Sequence, residues 1–145
     1  MFPTLGRSTH AVLRIAAGVL FLQHGLQKLF GFFGGIQGAA VPLASLMGAA
    51  GAIEFCGGLL LIVGLFTRPV AVLLVGEMIS AYFIAHLPQG GWPIQNQGEL
   101  ALLYASIFVF LAGNGAGPLS VDAALPVGRL QERRHMRERR HPVAA

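Results

Sequence analysis

Charge is what this sequence has least of. Only 11% of its 145 residues are Asp, Glu, Lys or Arg, against about a quarter in an ordinary soluble domain. Hydrophobic residues make up 54%, and the mean hydropathy is +0.67. A soluble domain of this size needs surface charge that this chain does not carry. The composition therefore predicts an integral membrane protein whose main partner is the lipid bilayer. Cysteine is nearly missing too. The single Cys56 excludes an internal disulfide and any C-x-x-C redox or zinc motif. Redox chemistry would then need a bound cofactor or a partner's thiols. What basic charge exists is crowded at one end, at Arg129, Arg133, Arg134, Arg137, Arg139 and Arg140. The sequence pI near 10.2 thus belongs to a tail and not to a nucleic-acid-binding face, and no nucleic-acid partner is expected.

What is present in abundance is long apolar runs. Four of them, at about 11–32, 43–65, 69–87 and 98–114, approach the roughly 20 residues a spanning helix needs. Gly- and Pro-rich breaks separate them: "GGIQGAAVP" (34–42), "FTRP" (66–69) and "LPQGGWPIQNQG" (87–98). The predicted fold class is all-α, an integral membrane four-helix bundle over residues 1–125, followed by a basic cytoplasmic tail at 126–145. Arg7, Arg68 and the tail carry the positive charge, while loops 33–42 and 88–97 carry no charge. Positive residues favour the cytoplasmic side, so both termini of a multi-pass membrane protein are expected in the cytoplasm. A signal peptide over residues 1–30 is disfavoured. No A-x-A-like cleavage site follows, and more apolar runs come after.

Polar residues inside such runs are informative, because each costs free energy in lipid and needs a partner. At about 100° per residue, Arg14, Ala17, Phe21, His24 and Lys28 share one narrow stripe of the first span. Glu54 falls near the middle of the second span among small residues, with Ala50, Gly51, Gly57 and Gly58 on its side. The third span places Glu77 near the midplane and His86 at the outer end on roughly the opposite face. Glu99 opens the fourth. Lys28 with Glu54 or Glu99 is the natural ion pair. Such pairs hold helices together in membranes, but three intramembrane acids and a lysine exceed what adhesion needs. An outward-opening polar pocket that relays protons to or from a ligand is the functional alternative.

The segments "RIAAGVLFLQHGLQKLFG", "GAIEFCGGLLLIVGLFTRPVA", "GELALLY" and "GNGAGPLSVDAAL" resemble the DoxX family of small four-span bacterial membrane proteins. The H-G-x-x-K element is His24, Gly25 and Lys28, and the span-two acid with its glycines is Glu54, Gly57 and Gly58. Gly64, Leu65 and Arg68 form the G-L-x-x-R turn, Glu99 opens the last span, and Gly115, Gly117, Ser120 and Asp122 close the pattern. The resemblance implies a membrane-embedded, redox-linked protein of the bacterial cytoplasmic (inner) membrane. Relatives serve as a quinone-reducing subunit of a thiosulfate oxidoreductase, or as the membrane part of a complex holding a superoxide dismutase and a sulfurtransferase. The 145 residues show no second, soluble domain, so a complete thiosulfate-oxidising enzyme is not expected.

Three functions follow as expectations. The first is a quinone-interacting component of an oxidoreductase system. Glu54, His24 and Lys28 act as its catalytic groups, and Glu99, Glu77 and His86 complete the cofactor site. The second is a non-catalytic accessory subunit, packed against partner membrane proteins or a second copy of itself. The third is a transporter of a small solute or anion past Lys28. "GNGAG" (113–117) follows a span instead of a strand, so it is no dinucleotide loop. That stretch is expected to terminate the fourth span, with Ser120 as N-cap of a short helix containing Asp122. His24 and His86 are one histidine per span, so neither haem nor a metal is expected.

Overall fold

The computed structural model describes residues 3–125, and the predicted basic tail at 126–145 lies outside the described residues. Every regular element among them is helical: α1 (Pro3–Phe30), α2 (Leu46–Val63), α3 (Thr67–Ala81), α4 (Pro93–Asn96), α5 (Glu99–Asn114) and α6 (Val121–Ala124). The first helix begins eight residues before the predicted span. Ser45 starts α2 by accepting a hydrogen bond from the Gly48 N–H at 3.0 Å, which satisfies one of the free donors at the helix start. The helical path of α3 continues past Ala81 through a π turn at Tyr82–His86 and a 3-10 turn at Leu87–Gln89. Two stretches, Leu46–Val63 and Thr67–Gln89, are long and apolar enough to cross a membrane, and α5 is apolar but only 16 residues long.

The four long helices run alternately up and down. Gly18 faces Gly58 and Lys28 faces Gly51, so α1 and α2 are antiparallel. Gly98 sits against Tyr82 and Gly115 against Arg68, which makes α3 and α5 antiparallel as well. Glycines set the α1–α2 distance. A Cβ on Gly25 would lie 2.5 Å from the Phe55 amide nitrogen, and one on Gly58 would lie 2.9 Å from the Gly18 carbonyl oxygen. Small residues let backbones approach this closely. Gly57, on the other flank of α2, receives Leu74 of α3. The glycines around Glu54 therefore serve two neighbours, α1 on one side and α3 on the other, and the carboxylate points into the seam between them.

An aromatic core joins the pairs. Phe21 meets Phe108 edge-on at 4.9 Å and Tyr104 at 5.2 Å. Leu61, Leu74, Phe108 and Leu111 are fully buried around them. Apolar side chains also cover the outside of all four long helices, among them Val12, Leu59, Val72, Phe83, Leu103 and Val109.

The end of the bundle remote from Lys28 is closed by two polar side chains. Arg14 is 1% exposed. Its guanidinium donates to the carbonyls of Leu61, Ile62, Ala116 and Leu119, two in the last turn of α2 and two in the chain after α5. Helix C-termini leave such carbonyls without partners and favour a cation. Asp122 does the converse for α3. Phe66 begins that helix in a left-handed conformation with no side-chain cap of its own. The Asp122 carboxylate accepts from the Phe66 and Thr67 N–H groups at 2.8 and 2.9 Å. Ser120 caps α6 by accepting from the Ala123 N–H at 3.2 Å, as its sequence position suggests.

Candidate functional site

The buried stripe of α1 carries the first components. Arg14, Ala17 and Phe21 are buried, and His24 and Lys28 are half-buried on the same side. Side chains at i and i+4 stand one turn apart on a helix, which brings His24 and Lys28 to one end of the bundle. The Lys28 ammonium forms an ion pair with the Glu54 carboxylate across the α1–α2 seam. Glu54 is 2% exposed. Only its Oε1 is bound, and Oε2 is buried with no hydrogen-bond partner among the described residues.

These groups border a cavity of about 850 Å³ between α1, α2, α3 and α5, within the usual range for small-molecule sites of roughly 300–1,000 Å³. Glu77 reaches its wall from α3, close enough to feel the charges of both Glu54 and Lys28. Both Glu77 carboxylate oxygens are buried and lack a hydrogen-bond partner among the described residues. Leaving such acceptors unmade costs about 1–3 kcal/mol each, and more if charged. Lys28 pairs with Glu54 alone, and Glu77 stands at the same cavity with no ion pair of its own among the described residues. The arrangement is complete only with a proton on one of the two carboxyl groups or with a donor from a ligand.

His86 borders the same cavity, although regular α-helical spacing puts it opposite Glu77. The π turn supplies the physical reason. Residues in an i→i+5 turn advance less around the axis than in an α-helix, so His86 swings back toward the Glu77 side. Its Nδ1 contacts the Asn96 carbonyl oxygen at 3.0 Å, tying α3 to α4. Glu99 is not brought to the cavity. It is exposed in the first turn of α5, where a carboxylate is favoured by the free N–H groups of the helix start. The buried stripe of α5 is Ala101, Tyr104, Ala105, Phe108 and Leu111, and Glu99 lies off that stripe.

Tyr104 is the wall residue that sequence reasoning left out. It is 5% exposed, borders the cavity and stands edge-on to His24 with ring centroids 6.0 Å apart. Its i, i+3, i+4, i+7 spacing with Ala101, Ala105 and Phe108 was the available signal. Most of the remaining wall is apolar, including Phe21, Ile53, Met78 and Ala101. No group of three His, Cys, Asp or Glu side chains suited to a metal occurs among the described residues.

An all-helical protein with paired ionisable groups beside a mostly apolar cavity is the class defined so far. Comparison with known proteins narrows it. The DoxX family matches residues 9–87, which covers most of α1, all of α2 and most of the α3 path, and this chain belongs to that family. It is 41% identical over 119 residues to an uncharacterised protein of Haemophilus influenzae, covering 77% of this chain and 87% of that one. A Bacillus subtilis protein named "Putative oxidoreductase CatD" is 34% identical over 113 residues, covering 77% of this chain and 82% of the relative. The Escherichia coli inner membrane protein YphA is 29% identical over 121 residues, or 77% and 86% of the two chains. No solved structure matches the chain significantly.

Proposed function

We propose that this protein is a four-span inner-membrane component of an oxidoreductase system, with the Lys28–Glu54–Glu77 cavity as its quinone head-group site. The membrane reading is supported by the apolar exterior, with Val12 65%, Val72 63% and Val109 59% exposed. Apolar surface this extensive is a liability in water and the natural boundary with lipid. The 16 residues of α5 reach about 24 Å, short of a hydrocarbon core of about 30 Å. Residues 90–98 make up the difference. Irregular backbone at that depth must be buried and satisfied, and Asn96, 1% exposed, does this by donating to Gly90 O and accepting from the Gly98 N–H. Arg68 then sits on the same side as the start of α1 and as α6, and the cavity opens toward the outer half.

The observation that carries the site reading is the set of buried carboxyl oxygens with no hydrogen-bond partner among the described residues, Glu54 Oε2 and both of Glu77, at the polar end of an apolar cavity. A quinone couple fits them. Its reduced form offers hydroxyl donors to carboxylates, and its oxidised form offers carbonyl acceptors to a protonated carboxyl. Bound there, the couple supplies two-electron, two-proton carrier chemistry. Lys28 holds Glu54 in place and limits the negative charge of the pair. Glu77 holds or releases a proton at its carboxyl, and His24 and Tyr104 line the inner wall. Electrons come from a partner redox protein, since Cys56 is the one thiol of the chain. The relative named as an oxidoreductase supports a redox role. Anion transport past Lys28 is less well supported, because that ammonium is already paired and two carboxyl groups stand beside it.

The test is quinone binding to purified protein in lipid nanodiscs, with the Glu54→Gln and Glu77→Gln variants. Wild-type binding that falls at least about tenfold in either folded variant supports the site. Equal binding by all three rejects it.

A further inference from the structure

The cavity has a side door as well as a polar end. Beside the Gly57–Leu74 contact and outward of it, the cavity is lined by residues of both α2 and α3 and runs into the gap between them. On the α3 side its rim is formed by Val72, Leu73, Gly76 and Ile84, all exposed on the lipid-facing surface. Met47 and Ala49 form the rim on α2. A Cβ at Gly76 would meet nothing within 4 Å, so the middle of the gap is open space. The hydroxyl beside it is already used, since Ser80 Oγ donates to Gly76 O at 2.7 Å. That hydroxyl is therefore satisfied within α3. At the outer end, Gln27 Nε2 donates to Gly35 O and His86 Nδ1 meets Asn96 O, which closes polar groups onto neighbouring backbone.

Resting on the site reading above, we propose that the occupant reaches the cavity sideways from the bilayer, between α2 and α3, and is a chained amphiphile. Its hydrogen-bonding head meets Glu54 and Glu77, and its hydrocarbon chain lies over Gly76 and Leu73 in the gap. The polar and apolar ends of the cavity match the two ends of such a molecule. A water-soluble ligand with no chain leaves the gap unfilled.

Gly76 makes this testable, because a large side chain fits there without striking backbone. Wild type, Gly76→Ala and Gly76→Phe, with Leu73→Trp as a second filler of the rim, are compared in nanodiscs. The probes are two quinones of one head group, with a ten-carbon chain and with none. Wild type and Gly76→Ala are expected to bind the chained quinone alike, and the two filled variants at least about tenfold more weakly. The chainless quinone binds all four equally. Undiminished binding of the chained quinone to the filled variants, or equal loss of both quinones, overturns the proposal. If neither quinone binds wild type, the quinone reading fails by itself, and sideways access is read from lipid extracts of the purified proteins. A chained amphiphile kept by wild type and Gly76→Ala but lost from the filled variants supports it. A wild type carrying none overturns it.

Discussion

Lys28 and Glu54, 26 residues apart in the chain, are joined as an ion pair across an antiparallel helix seam whose glycines leave room for both. Removing one member strands the other. Lys28→Met or Glu54→Gln alone should therefore cost stability, by about 3–5 kcal/mol for a buried pair. The double variant should recover part of the loss, because no uncompensated charge is left. A double-mutant cycle read from thermal or denaturant unfolding in detergent checks this.

Arg14 should tolerate no replacement, lysine included. Its planar guanidinium serves four carbonyls from two chain segments, and an ammonium lacks that fixed fork. Arg14→Lys and Arg14→Ala are both expected to destabilise by at least about 3 kcal/mol through buried carbonyls left unmade. Unfolding midpoints measure it.

Two glycine substitutions should act in opposite directions. Gly25→Ala drives a methyl into the Phe55 backbone and should cost about 1–3 kcal/mol. Gly76→Ala meets open space and should stabilise α3 by about 0.5–1 kcal/mol. The same unfolding assay reads both.

Tyr104→Phe keeps the aromatic packing against Phe21 and Phe108 and removes only a hydroxyl at the cavity wall. Stability should change by less than about 1 kcal/mol, while quinone affinity falls several-fold. Unchanged affinity would remove Tyr104 from the site.

Topology is open to labelling. In a Cys56→Ser background, single cysteines at Gln37 and Gln89 should react with an impermeant thiol reagent added to intact cells. One at Arg68 should react only after the membrane is opened. Reaction of all three from outside contradicts the four-span orientation.

The sequence by itself determined the helical class, the breaks that separate the long helices, and the stripe from Arg14 to Lys28, but not where α1 begins. Hydrophobic periodicity and Gly/Pro punctuation are local signals, and a helix is a local structure. It also narrowed the partner of Lys28 to two acids without choosing. The choice needed the third dimension. Glu54 took Lys28 because glycines on both flanks of α2 let α1 and α3 close around it, whereas Glu99 stays at an exposed helix start. His86 borders the same cavity as Glu77 through a π turn that changes the angular count, which composition does not announce. Arg14 found backbone carbonyls instead of an acid, and Asp122 capped a helix 55 residues away. Such partners are set by which chain ends meet. That is a property of packing, and packing is decided only when the helices come together.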